Sequence, residues 1–171
     1  DWHQTGGVLN AFFGENTFAQ VAARFMFMLT ITGVVGGMVA GRIRDADDRR
    51  AIVRILSTAG LIGTFFGCLA FNWYLSTIPA EAHDLAATRL PEQFGLMMAA
   101  SVAVSAAYFI ITAWKPAVLR PWLAGVMTIV ILVLGLAPEE TAREIIRKPW
   151  VAGQYVYGNQ IIGRDVPALG I

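Results

Sequence analysis

Apolar residues along this chain gather into four long runs, and the polar residues fall in the stretches between them. The runs cover roughly Phe18–Ala40, Ile55–Leu75, Phe94–Trp114 and Pro121–Ala137. Each is long enough, or nearly so, to cross a hydrocarbon core of about 30 Å as a helix rising about 1.5 Å per residue. The pattern predicts an all-α fold, an integral membrane bundle of four transmembrane helices. Residues 1–137 would form that domain together with an outer approach segment, and residues 138–171 a short amphipathic helix and an irregular tail.

The connecting stretches differ in character. Asp1–Thr17 is polar and carries Trp2, Phe12 and Phe13, aromatics that suit a membrane interface. Gly41–Arg54 reads as a short loop with five arginines set against Asp45, Asp47 and Asp48. Ser76–Gln93 holds Pro79, Pro91 and one basic residue, Arg89. A tight turn, Lys115–Arg120, joins spans three and four. Pro138 is expected to close span four, and Glu139–Lys148 reads as the amphipathic helix, ending before Pro149. Pro149–Ile171 is rich in glycine and aromatics and suits either a recognition strand or an interfacial anchor with a disordered end.

Basic residues orient the bundle. The connections after spans one and three hold Arg42, Arg44, Arg49, Arg50, Arg54, Lys115 and Arg120, so the positive-inside rule sets both in the cytoplasm. The N-terminal segment, Ser76–Gln93 and the tail then lie outside, as in a bacterial inner membrane. Arg143, Arg147 and Lys148 oppose this orientation but are less dense than the first basic connection.

Composition agrees with a membrane protein. Hydrophobic residues make up 56% of the 171 and charged residues 15%, against about a quarter charged in soluble domains. Nothing in this balance points to nucleic acid. The single cysteine, Cys68, excludes a disulfide framework, a CxxC zinc site and a CxxCH haem attachment, and reads as an apolar thiol. The chain opens at Asp1, and its first methionine is Met26, which reads as a processed chain or a piece of something longer.

Small residues supply a packing signal. Gly33, Gly37 and Gly41 recur every four residues in span one, as do Gly63 and Gly67 in span two, and span three is lined with alanine and serine. Such residues let helix backbones approach closely in lipid. They would serve either packing within the bundle or the seating of another subunit.

Candidate chemistry is sparse. Arg24 lies about one and a half turns into span one, where a guanidinium must snorkel outward, pair with an acid such as Glu15, or meet a lipid, a quinone headgroup or a partner's carboxylate. His3 and His83, the only histidines and hence the only imidazole candidates for haem ligation, fall outside the spans. Nucleophile–base pairs, metal-ligand clusters and phosphate loops are absent from the sequence, and spans two to four contain no acid, which disfavours a proton-coupled transporter.

The run Trp2-His3-Gln4-Thr5-Gly6-Gly7, the approach Asn10–Phe18 and the Thr32-Gly33 pair resemble subunit I of the cytochrome bd quinol oxidases over roughly residues 1–45. That family has a W-M-Q-x-P-x-G stretch, a proline-containing approach and a helix bearing an axial haem histidine before a T-G pair. Aligning that pair on Thr32-Gly33 puts Arg24 where the family has its histidine, and the approach here lacks the proline. The family's long quinol-contacting loop has no full counterpart in Ser76–Gln93. The tail, with Arg143–Trp150 and Tyr155–Asn159, is similar to segments that lead from oxidase-like membrane domains into c-type cytochrome regions.

The resemblance implies a membrane-anchoring subunit of a respiratory or other electron-transfer complex, more a non-catalytic partner than an enzyme. The chain itself would bind no haem. Haem would sit in neighbouring subunits, which would include other integral membrane chains and c-type cytochrome or iron–sulfur proteins. A quinol site would be shaped by Trp2, Gln4, Glu15 and Arg24. The alternatives are a structural scaffold that meets only lipid, or a small transporter.

Overall fold

The computed structural model describes residues 15–78 and 91–142. Within them the fold is all-α, with four helices long and apolar enough to cross a membrane. Helix α1 is Glu15–Ala40, α2 is Ala46–Ser76 and α3 is Gln93–Trp114. A 3-10 turn, Pro116–Val118, leads into α4, which starts as Pro121–Ile131 and reaches Ala142 as a span.

Each boundary has a local cause. Asp45 caps α2, its carboxylate accepting from the Asp47 and Asp48 amides at 2.9 Å each, while those two acids sit favourably in the first turn. The connection after α1 is therefore shorter than the sequence suggests. Arg49, Arg50 and Arg54 lie on α2, not in a loop. At 31 residues α2 is about 46 Å long, so its arginine-bearing start extends well past a hydrocarbon core of about 30 Å. Arg50 pairs with Asp47 at 3.1 Å in that exposed turn.

Span four departs further from expectation. Pro138 does not end it: the helix continues to Ala142, and residues 143–148 of the expected amphipathic helix lie outside the described residues. A π turn, Leu132–Leu136, precedes the proline, and the Ala137 amide reaches back to the Leu132 carbonyl. A wider turn here relieves the clash between a proline ring and the carbonyl four residues before it. The helix consequently carries Glu139 and Glu140 onward as part of span four.

Packing is densest in the half of the bundle nearer the arginines. Phe109 is fully buried among Val34, Val53, Tyr108, Leu119, Ala124, Met127 and Ile131. Helices α1 and α2 make the closest pair. A Cβ on Gly63 would lie 2.6 Å from the Met26 carbonyl, and one on Gly33 would lie 2.8 Å from that of Leu56. Gly41 abuts Pro121, Gly37 meets Tyr108 and Leu119 at ordinary contact distance, and Gly67 has only the Met26 Cβ, at 3.6 Å. The closest approach to a side chain is at Gly60, outside the glycine repeats, where the Phe109 ring occupies the space of a Cβ.

Buried hydroxyls add a few polar links, Ser57 to Thr112 at 2.7 Å and Thr30 to Thr64 at 3.4 Å. Large apolar side chains point outward all round, Ile55 being 68% exposed, Leu96 74% and Trp122 68%. That surface would be untenable in water and is natural against lipid. With four such spans the protein is an integral membrane protein.

Candidate functional site

Helix register defines what shares a level in the bundle. Gly41 meets Pro121, Gly63 meets Met26 and Thr30, Thr112 meets Ser57, and Gly135 meets Ser101. All seven basic residues of the two expected cytoplasmic connections therefore collect at one end. There Arg54 Nε donates to the Ala113 carbonyl at 3.3 Å, and Lys115 lies 5.5 Å from the Trp114 ring centre. Trp114 and Trp122 are exposed at the same end, like an interfacial aromatic belt.

Toward the opposite end the four helices part around a cavity of about 470 Å³. That is within the usual range for a small-molecule pocket, about 300–1,000 Å³. Its walls come from all four spans: Ala23, Phe27 and Met28 of α1, Gly67 and Phe71 of α2, Met98 and Val102 of α3, and Ile131 and Leu136 of α4. A smaller apolar cluster, Ala19, Tyr74 and Ile78, packs beyond it at the end away from the arginine-rich connections.

Polar groups are set into this apolar lining at two levels. Gln20, Arg24, Tyr74, Glu139 and Glu140 lie toward the end away from the arginine-rich connections. Thr30, Thr64 and Ser105 lie on the walls nearer the core, and Ser101 stands about one turn from Ser105, near the level of Arg24. Glu139 and Glu140 reach the cavity only because α4 passes through Pro138, so the sequence-level expectation of acid-free spans two to four is corrected here. Cys68, read as an apolar thiol, is half-buried on the same wall.

Arg24 is exposed and lines the cavity, and its guanidinium makes no ion pair or hydrogen bond among the described residues. Its position is about 24 Å along α1 from the basic end, counted back from Ala40. A guanidinium at that depth in a membrane calls for an anionic or hydrogen-bond-accepting partner. Glu15 opens α1 two and a half turns away, and the two positions fall on opposite sides of the helix.

Of the other residues singled out from the sequence, Trp2, His3, Gln4 and His83 lie outside the described residues. Arg24 is thus joined at the cavity by residues that sequence reasoning passed over, Ser101, Ser105, Glu139 and Glu140. Among the described residues no cluster of His, Cys, Asp and Glu could hold a metal ion. The arrangement suits reversible binding of an amphipathic molecule with oxygen functions. No family model matches the chain, and comparison with curated proteins and with solved structures finds no match.

Proposed function

We propose that this chain is a membrane-anchoring subunit of an electron-transfer complex in a bacterial inner membrane, and that its four-helix cavity holds a quinol near the outer face. The observation that carries the proposal is the Arg24 guanidinium, without an ion pair or hydrogen bond among the described residues, on the wall of a ligand-sized, mostly apolar cavity. A quinone headgroup offers the accepting oxygens that such a cation lacks, and its ring and tail match the apolar walls. The similarity of residues 1–45 to the quinol oxidases supports the same setting, with Trp2 and Gln4 as further candidate contacts. Electrons would leave to haem or iron–sulfur centres in partner chains, because this chain has only His3 and His83 as imidazole ligands and both lie outside its spans.

The broad lipid-facing surface favours a second reading, a scaffold that meets lipid alone. Gentle detergent purification separates the two. Mass spectrometry should find cytochrome or iron–sulfur partners, and a reduced-minus-oxidised spectrum of the same sample should respond to added quinol. A redox-silent preparation without a cofactor-bearing partner refutes the electron-transfer reading and leaves the scaffold.

A further inference from the structure

We propose that Ser101 and Ser105 form a hydrogen-bonding pole on the α3 wall of the cavity, across from Arg24. They would hold one oxygen of a quinone ring that enters headgroup first, with its other oxygen directed toward Arg24. This deepens the quinol reading and rests on it.

Six serine and threonine side chains are buried among the described residues: Thr30, Ser57, Thr64, Ser101, Ser105 and Thr112. Four of them are satisfied. Thr30 and Thr64 donate to the Met26 and Gly60 carbonyls of their own helices, and Ser57 donates to Thr112, which donates in turn to the Tyr108 carbonyl. Ser101 and Ser105 are only 6% and 2% exposed, yet their side chains make no hydrogen bond among the described residues. Serine in a helix can ordinarily bond back to a preceding carbonyl. No side-chain oxygen is sealed off without a partner among the described residues, so these two hydroxyls open onto the cavity they line.

Their placement gives the ligand a shape. Four residues apart on α3, they share one face and stand about 6 Å apart along the helix. Across the contacts from α3 through α2 to α1, Ser101 lies about level with Arg24. Ser105 lies about one turn deeper, level with Thr30 and Thr64. Gly135 keeps the adjacent wall low: a Cβ there would fall 2.7 Å from Ser101 Oγ.

A phospholipid sends its hydrocarbon inward and leaves both hydroxyls unanswered, at a cost, because buried hydroxyls require partners. A ring with oxygens at opposite poles answers both the serines and the arginine. The hydroxyls donate to a quinone carbonyl, and they can accept from a quinol hydroxyl.

The test uses the full chain in phosphatidylcholine nanodiscs titrated with a decyl-substituted benzoquinone, binding being read from tryptophan quenching. The expected result is saturable binding that weakens about tenfold in the S101A/S105A double variant. The melting temperature of the unliganded double variant should match that of the unliganded wild type, because the hydroxyls have no protein partner to lose. Unchanged quinone affinity in the double variant, with R24Q still weakening binding, overturns the serine assignment and leaves the quinone reading standing. A lowered melting temperature in the unliganded double variant also overturns it, since the hydroxyls would then be engaged within the protein. No quinone binding by the wild type overturns both.

Discussion

Replacing Gly63 by alanine probes how closely α1 and α2 must approach. The new Cβ would lie 2.6 Å from the Met26 carbonyl oxygen and 2.8 Å from both Leu29 Cβ and the Thr30 amide nitrogen. Two of the three obstacles are backbone, so no rotamer change relieves them. Ordinary contact for a Cβ begins near 3.4 Å, so α1 and α2 must separate locally by about 0.8 Å, which is 3.4 less 2.6. A gap of that size forfeits a quarter to a half of the dispersion along the opened seam, and overpacking generally costs about 1–3 kcal/mol. The adjacent Thr30–Thr64 contact, already 3.4 Å, would break. Gly67, one turn on, is the control: its Cβ would meet only Met26 Cβ at 3.6 Å. Alanine there should be neutral, or stabilising by less than about 1 kcal/mol through helix propensity. Reversible unfolding in mixed detergent micelles, followed by tryptophan fluorescence, measures both. G63A is expected to lose about 2 kcal/mol or more. Equal stabilities for G63A and G67A would refute the helix register described above, and with it the levels assigned to the cavity residues.

Other consequences follow from single contacts. Ser57→Ala removes the 2.7 Å bond to Thr112 but leaves Thr112 bonded to the Tyr108 carbonyl, so it should cost only about 0.5–1 kcal/mol in the same assay. Asp45→Ala frees two α2 amides and should cost about 1 kcal/mol, with faster hydrogen exchange confined to the first turn of α2. Unaltered exchange at Asp47 and Asp48 would show that the cap does not hold that end.

The spans were legible because lipid imposes a simple rule: a backbone without water must satisfy itself as helix, and its side chains must be apolar. Hydropathy was less informative where a helix leaves the lipid. The arginine-rich start of α2 is polar enough to pass for a loop, although Asp45 followed by Asp47 and Asp48 carries the signature of a helix start. Pro138 misled for a different reason. A proline ordinarily marks a helix end, and the π turn at Leu132–Leu136 that lets this helix pass has no signature in the sequence. The acids Glu139 and Glu140 were misplaced as a result. Arg24 stood out as a lone charge in an apolar run. Ser101 and Ser105 did not, since small residues on α3 read first as packing, and a hydroxyl without a partner is a property of three-dimensional surroundings.

The central claim, that a quinone occupies the cavity between the four helices, is tested most directly by photolabelling. Membranes containing the chain would be illuminated with an azido-quinone, and the labelled residues mapped by mass spectrometry. The account predicts labels on cavity walls such as Met28, Phe71 and Met98, competed away by excess unlabelled quinone and reduced in R24Q. Labels confined to lipid-facing residues such as Phe65, Leu96 and Ile129, or labelling that excess quinone does not suppress, would contradict it.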